Sequence, residues 1–277
     1  MIKWIYNVIK NITKNFYLAK EAKYKFKEKV LIFKILNLLY FKSIFSKKEK
    51  EVSQEIFGFK VTAYNYNTII FLFKEIFITN DYFFQSDNQT PKIIDCGANI
   101  GMSILYFKFL YPNCSIVAFE PNPRAFDLLK KNIKQNKLEK IELYNLALSD
   151  KTEEIDFYTG NDNEILLAST LKERGGQNNI KIQTHKLSAY LNDTVDLIKI
   201  DIEGSENQVL VDLVSSGKIN DSKKYIIEYH HKINNKKSSF STFIKPFEES
   251  GFDYNIKASF HKIGVFQDIL ISIYKEN

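Results

Sequence analysis

The sequence predicts a doubly wound α/β fold with a mostly parallel sheet, preceded by a helical extension. Three observations carry that prediction. From residue 92 onward, short β-rich runs alternate with helical stretches, the pattern of parallel strands joined by right-handed crossovers. The first of those strands runs straight into a Gly-rich turn, Asp95-Cys96-Gly97-Ala98-Asn99-Ile100-Gly101, which opens a helix. The second strand ends on an acid in Phe119-Glu120-Pro121-Asn122-Pro123.

Taken in order, Trp4, Ile5, Val8, Ile9, Ile12 and Phe16 recur at helical spacing with Lys3, Lys10 and Lys14 between them, and a second helical stretch covers 20–45. Residues 1–50 hold 13 Lys and 3 Glu, a net +10, so the remaining 227 residues carry −4 of the total of +6. Such a basic amphipathic element can rest on an anionic membrane or dock to a partner. It can equally be a helix packed on the core with its lysines in water. Residues 56–64 (IFGFKVTAY) read as a strand or hairpin, and Thr68–Ile78 as a very apolar helix.

The regular region then offers strands at 92–96, 115–119, 140–146, 196–201, 223–229 and 263–274, and helices at 101–111, 122–135, 205–217 and 239–250. The segment 151–190 lacks helical periodicity and reads as a hairpin and loop turning at Gly175-Gly176. The expected division is a basic helical extension over 1–55 and one α/β domain over 56–277.

Composition narrows the class. With 44% hydrophobic and 26% charged residues the chain is an ordinary globular protein. Cys96 and Cys114 cannot build a disulfide framework or a zinc site, and Cys96 reads as a small core residue. No stretch approaches the ~18 apolar residues of a membrane span, and no signal peptide is evident. The expected location is cytoplasmic, at the inner face of the membrane if the basic segment binds lipid.

The Gly-rich turn lets a ligand approach the backbone, and free amides at the helix start can hold a carboxylate. Glu120, 23 residues after Gly97, suits the two hydroxyls of a ribose. Together they indicate an adenosine-containing cofactor. A dinucleotide fingerprint has three glycines at G-x-G-x-x-G, whereas this turn is G-x-N-x-G with Asp95 before it. Acids continue at Lys199-Ile200-Asp201-Ile202-Glu203-Gly204-Ser205-Glu206. Carboxylates favour the sulfonium and ammonium of S-adenosylmethionine and repel a pyrophosphate.

These motifs resemble those of the FkbM family of methyltransferases. The resemblance rests on Ile94–Gly101, Phe119–Pro123, Asn145-Leu146-Ala147-Leu148-Ser149-Asp150, Lys199–Glu206 and Glu228-Tyr229-His230, and covers roughly 56–275. It implies a Rossmann-like class I methyltransferase sheet of seven strands, the last antiparallel, and O-methylation of sugars or other small hydroxylated molecules. It further implies that the turn around Gly97 holds the methionine part, Glu120 the ribose, and Ala147–Leu148 the adenine. Glu75 and Tyr82 resemble a family feature that reaches over the cofactor. The cofactor-binding set is therefore Asp95, Gly97, Asn99, Gly101, Glu120, Asn122, Ala147, Leu148, Asp201 and Glu75.

Methyl transfer to a hydroxyl needs the oxygen in line with the sulfonium carbon and usually a base for its proton. His230 and Asp201 are the candidate bases, with Glu203 beside them. Asp201, Glu203, Glu228 and His230 could instead bind a divalent metal that lowers the hydroxyl pKa. Asp201 and Glu203 could also do no more than orient the cofactor. His185 and His261 read as structural strand residues. The expected partner is a small-molecule or glycan substrate. A nicotinamide oxidoreductase, a nucleic-acid methyltransferase and a non-catalytic adapter are the rival readings. Nucleic acid is not expected, because residues 51–277 are net acidic and carry no Asn/Asp-Pro-Pro-Tyr tetrapeptide.

Overall fold

The computed structural model describes residues 2–46, 51–160, 169, 176, 178–231, 240–258 and 267–276. His261, Gly175 and the first residues of the expected strand at 263–274 lie outside the described residues.

The chain opens with a helical hairpin, α1 (Ile2–Glu21) and α2 (Phe26–Phe45). Residues at 8, 12, 15 and 19 make one helical stripe, and α1 turns that stripe inward: Asn15 and Ala19 are buried, Val8 and Ile12 half-buried. Asn15 Nδ2 donates to Asn37 Oδ1 at 3.2 Å. Ile32, Ile35, Leu36 and Leu39 carry α2 into the main core. Packing on the domain thus holds for α2 and for Ala19 at the end of α1, while Ile12 is half-buried and Trp4, Ile5, Ile9 and Phe16 stay exposed.

Residues 56–64 belong to a hairpin whose first strand starts earlier than the sequence suggested. β1 (Val52–Ile56) pairs antiparallel with β2 (Phe59–Ala63) through a turn at Phe57-Gly58, both at positive φ. The expected domain boundary at 55 therefore falls within β1. Helix α3 (Tyr66–Leu72) starts at Asn65, whose side chain accepts the Thr68 N–H, and continues as a π-turn over Phe73–Ile78 that carries Glu75.

Then come β3 (Lys92–Cys96), α4 (Met102–Leu110), β4 (Ser115–Phe119), α5 (Pro123–Gln135), β5 (Ile141–Tyr144), β6 (Ala147–Ser149), β7 (Glu154–Thr159), β8 (Asn178–Lys186), β9 (Leu197–Ile200), α6 (Glu206–Ser215), β10 (Lys224–His231), α7 (Phe240–Glu249), β11 (Asp253–Ala258) and β12 (Gln267–Tyr274). The seven-stranded sheet runs β11-β12-β10-β9-β3-β4-β5. β12 alone runs opposite to the other six strands, pairing antiparallel with β10 and β11. Consecutive apolar residues face opposite layers: Ile93 and Leu197 meet α4 and α5, while Ile94 and Ile198 meet α6 and α7.

Two sequence expectations change here. The run 140–146 breaks after Tyr144, where Asn145 Nδ2 donates to Glu120 O at 2.8 Å and the chain leaves the sheet before β6. β11 had no counterpart in the sequence reading, because it is a largely exposed edge strand without an apolar alternation. The hairpin expected within 151–190 is β7 with β8, and His185 lies in β8. Asn132 ties β2 to the Gly-rich turn: it accepts Thr62 N–H at 2.7 Å and donates to Thr62 O and Ile100 O at 2.9 and 2.8 Å.

Candidate active site

The carboxyl ends of β3, β4, β9 and β10 open onto a cavity of about 420 Å³, the crevice where doubly wound sheets bind ligands. β3 delivers Asp95, which is fully buried. Its Oδ2 accepts from Ser103 Oγ at 2.5 Å and its Oδ1 lies 3.2 Å from Lys199 Nζ. Burial would lower the Lys199 pKa, but Asp95 and Asp201 outweigh it and hold the ammonium charged. Lys199 Nζ also donates to Gly97 O at 2.7 Å and stands 5.0 Å from the centre of the Tyr82 ring. Lys199 is thus the counter-ion that pins the turn.

Gly97 cannot be another residue. Its φ is +87°, and a Cβ there would lie 1.8 Å from Asp201 O. Gly101, at φ +89°, packs where a Cβ would meet Leu129 Cδ1 at 2.6 Å. Between them, Asn99 adopts φ +48° and donates its N–H to Glu120 Oε2 at 2.8 Å. Asn122 N–H donates to Glu120 Oε1 at 2.8 Å, and the Asn122 side chain caps α5 by accepting Arg124 N–H. Burial pushes the Glu120 carboxyl up to about 7 against the pull of those two amides.

From β9, Asp201 and Glu203 reach the cavity, and Asp201 Oδ2 accepts from Tyr82 OH at 2.9 Å. Glu75 is pushed up to about 8 by burial and then by Asp201. Glu228 rises to about 9, again by burial first and Asp201 second. Ala147 and Leu148 of β6 complete the wall with Phe119. The lining carries six carboxyl groups (Glu75, Glu120, Asp201, Glu203, Glu228 and Asp268) against one lysine. That balance attracts a cation and repels a pyrophosphate.

The expected cofactor residues thus line the cavity, apart from Asp95 and Gly101, which lie behind the turn. Asp201 and Glu203 line it as well, whereas His230 sits behind them, buried. Its Nδ1 is 2.8 Å from Glu206 Oε1, and its Nε2 is 3.4 Å from Glu203 Oε2, 3.8 Å from Asp268 Oδ1 and 4.0 Å from Asp201 Oδ1. Burial would lower the imidazole pKa, but Glu206, Glu203 and Asp201 raise it to about 10. The surrounding carboxylates thus favour the protonated imidazole in the metal-free site, and a bound cation would displace that proton. That environment weighs against His230 as a metal-free base. Sequence reasoning missed Asp268, placed beside His230 by the β10–β12 register, and the pairing of Glu206 with the imidazole. An acid at the head of an otherwise apolar strand was the available signal for Asp268.

The comparisons with known proteins agree with this geometry. The model of the methyltransferase FkbM domain matches residues 95–254, more than half of the chain. The chain belongs to the FkbM methyltransferase family. As a member of that family it is an enzyme of methyl transfer. Methyltransferase sdnD of Sordaria araneosa is 30% identical over 173 residues, covering 50% of this chain and 67% of that one. The 2-O-methyltransferase NoeI of Sinorhizobium fredii is 27% identical over 142 residues, 45% of this chain and 58% of its own length. The match thus spans about three fifths to two thirds of the length of these relatives. Among solved structures, FkbM methyltransferase from Methylobacillus flagellatus covers 98% of this chain and 60% of its own, at 15% identity and a TM-score of 0.49.

Proposed function

We propose that this FkbM methyltransferase uses S-adenosylmethionine to methylate a hydroxyl oxygen, on a sugar or glycan intermediate. The observation that carries the donor is the acidic cavity built around the Gly97 turn and Glu120. Gly97 packs directly on the Asp201 backbone at the cavity wall, and each Glu120 oxygen keeps a second lone pair beside its backbone N–H for a ribose hydroxyl. When bound, S-adenosylmethionine supplies an electrophilic methyl carbon on a sulfonium. The acidic lining, with Glu75 and Tyr82 in it, would hold that cation, and Asp201 would take the acceptor's proton at its carboxylate. In the balanced step a carbon–oxygen bond forms and a carbon–sulfur bond breaks, sulfur keeping the pair. The 2-O-methyltransferase among the relatives supports oxygen as the acceptor atom. The sugar class rests on the family resemblance.

A second reading concerns a divalent cation. Asp201, Glu203 and His230 place ligand atoms within 4.8 Å of one another, as do Glu228, His230 and Asp268. Glu206 holds His230 Nδ1, the arrangement by which an outer carboxylate orients a ligating imidazole. These residues fit Mg²⁺ or Mn²⁺, which when bound would lower the pKa of an acceptor hydroxyl.

Labelled S-adenosylmethionine incubated with a glycan extract of the host tests the acceptor. Label is expected in hydroxyl-bearing sugars; label in nucleic acid instead overturns the glycan assignment. Mn²⁺ should raise the melting temperature of wild type and not of Glu203→Gln. No Mn²⁺ effect on wild type ends the metal reading.

A further inference from the structure

The α1–α2 hairpin presents an outer face that the domain does not cover. Of the 17 large hydrophobic side chains exposed among the described residues, 12 lie on these two helices. Ile5, Ile9 and Phe16 run in one line down α1, next to its buried stripe. On α2, Leu31, Leu38 and Phe45 share a line with Lys27 and Lys34, so apolar and cationic side chains alternate on the same exposed strip.

The charge says what covers this face. Residues 2–45 hold 10 Lys and 2 Glu. Two copies packed through it would bring like charges together, whereas an anionic surface answers both features: the side chains of Leu, Ile and Phe enter the acyl boundary while lysine stems snorkel to the headgroups. Trp4, Tyr6 and Tyr17, all exposed, suit that boundary with one apolar and one polar end. Among the described residues no helix is long and apolar enough to cross a membrane, so the contact lies along the surface.

We propose that the outer face of the α1–α2 hairpin docks the enzyme on an anionic lipid bilayer. The acceptor then belongs to the lipid-linked or membrane-adjacent class, which rests on the methyl-transfer reading; the docking itself does not.

Sedimentation of the full chain with vesicles of phosphatidylcholine, with and without phosphatidylglycerol, tests the docking without any activity readout. Binding is expected only with the anionic lipid and should weaken as salt rises. Lys27→Gln/Lys34→Gln should lower partition roughly 30-fold, from about 1 kcal/mol for each lysine near the surface. Ile9→Ser/Phe16→Ser should also release the protein while its melting temperature holds, since both side chains are exposed. No binding, or equal binding to neutral and anionic vesicles, overturns the proposal. So does a dimer in light scattering that the Ile9→Ser/Phe16→Ser chain no longer forms, which would assign the face to a second copy.

Discussion

Binding of S-adenosylmethionine should release roughly one to two protons at pH 7.5, about one from Glu75 and Glu120 and up to ~0.7 from Glu228 at about 9. In the ligand-free site Glu75 sits at about 8 and Glu120 at about 7, both raised first by burial. At that pH Glu75 is about three quarters protonated and Glu120 about one quarter. A sulfonium about 5 Å away, at an effective dielectric of about 20, contributes about 3 kcal/mol, or roughly two pKa units of depression. Both carboxyls then ionise. Because the bound state holds fewer protons, affinity must rise with pH up to about 9 and level off above it. Calorimetry in two buffers of different ionisation enthalpy, with a chelator present, reads the proton count directly. S-adenosylhomocysteine, which lacks the sulfonium, should release fewer protons, and Glu75→Gln should remove about three quarters of a proton from the wild-type release. Proton uptake, or a heat independent of buffer, refutes the reasoning that this cavity is a cation site.

Two further substitutions test the scaffold. Gly97→Ala should destabilise the protein by at least ~2–4 kcal/mol, since its Cβ would overlap Asp201 O, whereas Gly58→Ala, with nothing within 4 Å of the new Cβ, should cost only about 1 kcal/mol; equal urea midpoints for the two variants contradict the close approach. Lys199→Met should cost about 3–5 kcal/mol by stranding the buried Asp95 carboxylate, and adding Asp95→Asn should restore most of it. Simply additive losses in that cycle would mean the pair is not coupled.

What the sequence made legible was local. The turn from β3 into α4 and the acid closing β4 are each contained in a few consecutive residues, so the cofactor side of the cavity could be read directly. The far side depends on pairing. Asp268 reaches His230 only because β12 lies antiparallel to β10 in the observed register, and Glu206 reaches the same imidazole from the first turn of α6. Those contacts surround the His230 imidazole with four carboxyl groups, which its place at the end of β10 did not reveal. In α1 the apolar positions Trp4, Ile5, Val8, Ile9, Ile12 and Phe16 spread over more than one face, so spacing alone did not decide which would be buried. β11 carries polar residues along an exposed edge and leaves no periodic signal.

The central claim is that the Gly97 turn and Glu120 hold an adenosine with a methionine tail. Calorimetric titration of the full chain and of Glu120→Gln with S-adenosylhomocysteine tests it most directly. Glutamine keeps an acceptor for only one of the Asn99 and Asn122 amides, so the melting temperature of the variant is measured alongside to show that the turn is retained. The account predicts binding by wild type and a roughly 10- to 150-fold weaker affinity in Glu120→Gln, from the loss of charge-assisted bonds worth ~1.5–3 kcal/mol. Undiminished binding by a folded Glu120→Gln chain would contradict it.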